Sequence, residues 1–113
     1  MAEALSPRML RALDPGIRRL VVALREADFD TTDSGDGVSK PEVGRVFDVP
    51  HVIMVVESGA IVAEAQRLVE ALGRLGVRVK PGVVQAQYDP ADGVATLGVF
   101  GVNDSMLKRK GEA

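Results

Sequence analysis

Within one short segment, Thr31-Thr32-Asp33-Ser34-Gly35-Asp36-Gly37, the chain gathers hydroxyls, carboxylates and glycines. Three chemistries suit that mixture. As a ligand cradle, the glycines would let backbone amides approach a ligand closely, and the Thr and Ser hydroxyls would add donors and acceptors. Lys40, just downstream, would neutralise an anion held there. The segment is not a P-loop, because the Gly-Lys-Ser/Thr ending is missing and no helix follows at once. As a divalent cation site, Asp30, Asp33 and Asp36 would supply the oxygen ligands a hard cation prefers. Their three-residue spacing departs from the alternating acids of an EF-hand. As a plain acidic turn, Ser-Gly and Asp-Gly need no ligand, since both are common turn formers. Composition leaves all three open.

His51 is the only histidine of the chain. It opens an apolar strand on the same side as Ile53 and Val55, where it serves either as a hydrogen-bonded core residue or as an acid, base or donor to phosphate. Ser34, His51 and an aspartate form a conceivable nucleophilic set, but no nucleophile elbow surrounds Ser34. Arg18 and Arg19 would reach an anion if they faced the loop. Tyr88 would offer a ring for stacking.

The elements that must position these residues follow from periodicity. A short helix is expected over residues 2–13, with Ala4, Leu5, Met9, Ala12 and Leu13 apolar. Asp14-Pro15 restarts the chain as N-cap and first helical residue of a second helix running to about Ala27. In it Ile17, Leu20, Val21 and Leu24 form one stripe. A short strand is expected at Phe29–Thr31, then a loop to about Asp48, then a central strand at Val49–Val56. Ser58 is expected to cap a helix over about 59–75, which Gly76 ends. A strand is expected at Val77–Lys80, followed by a hairpin of Val84–Tyr88 and Val94–Phe100 around Pro90 and Gly93. The expected fold is α+β, in the order α-α-β-β-α-β-β. It is a two-layer sandwich with two main helices on one face of a small mixed or antiparallel sheet. Gln85, Gln87 and Thr96 are expected on the uncovered face.

The 113 residues suit one domain, with 1–13 as a helical arm, 14–102 as the core and 103–113 as a flexible tail. Apolar residues make up 46% of the chain, which argues against disorder. There is no cysteine, so neither a disulfide framework nor a thiolate metal site is available. No apolar stretch approaches the ~20 residues of a membrane helix, and no secretory signal is expected at the N-terminus. The net charge of −2 provides no long-range attraction to nucleic acid. With three Phe, one Tyr and no Trp, the core depends on aliphatic packing, and a homo-oligomer would add buried surface.

The run Leu13-Asp14-Pro15-Gly16-Ile17, the pattern Phe29-x-Thr31-x-x-Ser34-x-x-Gly37 and the apolar strand after Pro50 together resemble a family of small accessory proteins of tailed bacteriophages and prophages. The resemblance spans residues 13–100. Many members carry Cys where this chain has Gly35, and His just after the glycines. Here Asp36-Gly37-Val38 stands in that place, so no thiol or histidine role is carried over. The resemblance implies a protein of the infected or lysogenic host's cytoplasm that blunts immunity, by sequestering a nucleotide signal or by binding a host effector. Joined to the residues, it gives the expectation of a non-enzymatic, cofactor-free protein. Its small anionic ligand would be held by Thr31, Thr32, Asp33, Ser34, Gly35, Asp36, Gly37, Lys40 and His51. Two alternatives stand beside it: a protein-interaction inhibitor using the acids of residues 28–48, and a metal-dependent phosphoesterase.

Overall fold

Helix α2 (Arg18–Glu26) shows how local pattern and distant contacts share the work. Its stripe of Leu20, Val21 and Leu24, continued by Ile17 in the turn before it, is buried, so burial of one face drives it. A computed structural model of the chain describes residues 5–35 and 49–108. Its elements are α1 (Pro7–Ala12), α2 (Arg18–Glu26), β1 (Thr31–Gly35), β2 (His51–Val56), α3 (Ile61–Arg74), β3 (Val84–Asp89) and β4 (Val94–Phe100), with short 3-10 turns at Pro15–Ile17, Ser58–Ala60 and Asp104–Met106.

The strands form one antiparallel sheet in the order β1-β2-β4-β3. Val52 and Met54 of β2 and Leu97 and Val99 of β4 turn one face toward Leu20, Leu24, Leu68 and Leu72 of the helices. The fold is the expected α+β sandwich, with the sheet antiparallel throughout. Alternation puts His51, Ile53 and Val55 on the other face. The register sets Gln85 beside Gly98 and Gln87 beside Thr96 on that same face, as expected. Val55 and Val94 stay exposed there. Phe100 lies over Gly98, where a Cβ would collide with its ring.

Several boundaries differ from expectation, each for a physical reason. Helix α1 starts at Pro7, because the Ser6 hydroxyl accepts from the Met9 amide and caps it. Asp14 does not cap α2 with its side chain. The carboxylate of Asp104 does so instead, accepting from the amides of Arg19 and Leu20 at 2.8 Å each. Residues 103–108 are therefore no loose tail. Leu107 is buried, and the Lys108 amide donates to Leu75 O at 2.8 Å. Ser58 begins a 3-10 turn, and its hydroxyl accepts no capping bond from α3. Residues 77–80 are not a strand: Val77 plugs the core after the Gly76 turn, and β3 holds the sheet edge beside β4. Gly76 and Gly93 take the positive φ expected of them.

Candidate functional site

The Thr/Asp/Ser/Gly cluster is largely strand. Thr31–Gly35 pairs with β2 as the edge strand β1, with an irregularity between Thr31 and Asp33. The loop expected from Thr32 onward is therefore strand through Gly35. Asp36, Gly37 and Lys40 lie outside the described residues, as does much of the acidic stretch 28–48.

The pairing sorts the cluster's side chains. Thr31 sits beside Met54 and Ser34 beside Val52, so both turn toward the helices. Asp33 and Gly35 sit beside Ile53 and His51 and turn to the other face. Thr32, at the irregularity, donates its hydroxyl to Ile53 O. From α2, Arg25 donates to both the carbonyl and the hydroxyl of Thr31, at 3.1 Å each, and lies 3.9 Å from Asp30.

A groove of about 300 Å³ opens between α1, α2 and this edge. Its apolar wall is Leu5, Met9, Leu13 and Val21; its polar wall is Arg25 with Thr31, Thr32, Asp33 and Ser34. One wall can hold an apolar or ring-shaped body. The other is polar, and an apolar lining with a few polar residues is the usual composition of a small-ligand site.

Gly35 and His51 sit next to this groove rather than in its lining. His51 is 5% exposed, with Nδ1 3.2 Å from Val49 O and Nε2 3.9 Å from Asp33 Oδ2. A Cβ on Gly35 would lie 2.8 Å from His51 Cε1 and 3.4 Å from Asp14 Oδ2. The glycine thus makes room for the imidazole and for the buried Asp14 carboxylate. That is a different use from admitting a ligand to its amide.

The structure therefore brings Thr31, Thr32, Asp33 and Ser34 together at one groove, and joins Gly35 and His51 to it through Asp33. It separates Ser34 from His51: the two point to opposite faces of the sheet, so the conceivable nucleophilic pair does not form. Among the described residues, no group of three His, Asp or Glu side chains converges to hold a metal ion. Arg18 and Arg19 turn to backbone carbonyls, of Leu13 and Lys108. Sequence reading missed Arg25 and the α1 wall. Arg25 lies off the apolar stripe of α2, and only the docking of α1 shows what its neighbour is. No helix among the described residues is long and apolar enough to cross a membrane. Comparison with protein-family models, curated proteins and solved structures gives no match.

Proposed function

We propose that this chain is a non-enzymatic binding protein whose ligand, a small anion with an apolar or aromatic body, sits in the groove between α1, α2 and β1. One observation carries the reading: the groove sets Arg25, Thr31, Thr32, Asp33 and Ser34 against four apolar residues in a single cavity. The head would take hydrogen bonds from the polar wall. The body would displace water from Leu5, Met9, Leu13 and Val21. The separation of Ser34 from His51 supports binding over hydrolysis.

A nucleotide signal of the host's immunity is the ligand class to test first, given the phage setting that the resemblance implies. Self-association belongs to the same reading, supported by the exposed Val55, Tyr88 and Val94. A second reading, contact with a host defence protein in the bacterial cytoplasm, draws on the exposed acids Asp28, Asp30 and Asp33 along this edge.

The test is thermal unfolding with cyclic dinucleotides and cyclic ADP-ribose isomers, beside native mass spectrometry after incubation with host-cell small-molecule extract. A ligand at 100 times its Kd would stabilise the fold by about 2.7 kcal/mol. The wild type should shift, and Thr32→Trp, which fills the groove, should not. No shift and no retained mass would overturn the small-ligand reading in favour of the protein partner.

A further inference from the structure

We infer that the outer edge of β3, which no described strand covers, pairs with β3 of a second copy, antiparallel, about a two-fold axis through Ala86. The inference rests on the self-association part of the proposed function and names its surface.

The backbone directions come first. Phe100 N donates to Val83 O at 2.8 Å, and Gly93 N donates to Asp89 O at 2.9 Å. With Val84 opposite Val99, the backbone groups of Gln85, Gln87 and Asp89 turn toward β4. Those of Val84, Ala86 and Tyr88 turn outward. No strand among the described residues takes them.

Such an edge invites pairing unless something blunts it. Charges, prolines, bulges and covering elements are the usual devices. Between Val84 and Tyr88 there is no charge and no proline, and the β3–β4 register runs without a break.

One register of a second copy pairs all three outward residues of this edge. A two-fold axis perpendicular to the sheet keeps the helical faces on one side, so residues of like parity must meet. Centring on Ala86 sets Ala86 against its own counterpart and Val84 against Tyr88 of the second copy, as hydrogen-bonded pairs. Every outward amide and carbonyl of those residues is then satisfied. Gln85 meets Gln87 of the second copy on the open face, where the side-chain amides can pair. Asp89 meets Val83 at the end of the ladder, so no like charges face each other.

Helix α3 supplies an independent observation. At about 100° per residue, Arg67 lies about 120° to one side of the Leu68–Leu72 line, and Val62 and Val69 lie about 90° to the other. Arg67 bonds the carbonyls of Ala27 and Asp28, on the α2 side. Val62 and Val69 therefore lie on the β3 side, and they are 72% and 40% exposed. Tyr88, on the helical face of β3, is 51% exposed. An apolar helix flank and an unblunted strand edge thus face the same way, and the two-fold axis brings both against their counterparts.

The experiment uses the full chain. Sedimentation equilibrium should show a dimer for the wild type. Ala86→Pro removes an outward N–H without touching the β4 ladder, so it should raise the dissociation constant at least about tenfold, and circular dichroism should report an unchanged fold. Ala86→Cys sharpens the register: opposed α-carbons about 5.5 Å apart suit a disulfide, and the chain has no other cysteine. Oxidation should cross-link Ala86→Cys and leave Val84→Cys monomeric on a denaturing gel. A dimer that persists in Ala86→Pro and does not cross-link through position 86 would overturn this interface while leaving self-association intact. A monomeric wild type would overturn both.

Discussion

The two edges of one sheet are built on opposite plans. β1 carries an irregularity at Thr32, an exposed Asp33 and a flanking groove against α1 and α2. Its Thr31 carbonyl is already taken by Arg25. β3 is regular and carries no charge from Val84 to Tyr88, with its outward backbone groups unshared with any described strand. Irregularity and charge discourage pairing with another strand, and their absence permits it. On the readings proposed above, the edges would have separate tasks: β1 would offer side chains to a small ligand, and β3 would offer backbone to a second copy.

The strongest way to break this contrast is to ask whether both edges hang on one core. Leu97 is wholly buried at the sheet's middle, beside Met54 and Ala86. Leu97→Ala should destabilise the protein by about 2–5 kcal/mol. Urea unfolding followed by amide exchange at β1 and β3 should lose both edges in one transition. Separate transitions would show that the edges are independent units and remove the basis for comparing them.

A smaller effect separates the edges themselves. Gly35→Ala puts a Cβ 2.8 Å from the His51 ring, and overpacking of this kind destabilises by about 1–3 kcal/mol. On the other edge, Gln87→Thr should change monomer stability by less than about 0.5 kcal/mol. Equal effects in urea titrations would contradict the tight packing assigned to β1. Next comes Asp104→Ala, which uncaps α2 beneath the β1 groove and should lower stability by about 0.5–2 kcal/mol. If its midpoint matched the wild type, the Asp104 bonds would not be supporting that helix.

How far the sequence exposes this arrangement depends on where each signal resides. The stripe of α2, the continuous run Val52–Val56 and the Pro90–Gly93 hairpin turn are local patterns, and each has its element in the structure. The strand expected at Phe29–Thr31 lies instead at Thr31–Gly35, a shift that was hidden because Thr-Thr-Asp-Ser-Gly has the composition of a turn. It is a strand only because β2 pairs with it, a tertiary preference that overrides local propensity. The cap of α2 was hidden for a similar reason, since Asp104 lies 85 residues from the amide of Arg19. At the site, the cluster itself was legible as chemically unusual. Its partners Arg25, Leu5 and Met9 were not, because the packing of α1 against the edge leaves no mark on spacing.

The smallest expected effect concerns what holds His51 at the β1 edge. Asp33 Oδ2 stands 3.9 Å from Nε2, yet its side chain is 64% exposed while that of His51 is 7% exposed. Water screens so exposed a carboxylate, and pairs of this kind contribute about 0–1 kcal/mol. The imidazole has firmer constraints: Val49 O lies 3.2 Å from Nδ1, and the missing Cβ of Gly35 leaves its ring a fitted space. Asp33→Asn keeps the shape and removes the charge. It should therefore shift stability by less than about 0.5 kcal/mol in urea titrations at neutral pH, while Gly35→Ala costs several times more. A loss as large as that of Gly35→Ala would make the ion pair the true support of His51. β1 would then be an edge organised by charge rather than by the close approach of a glycine.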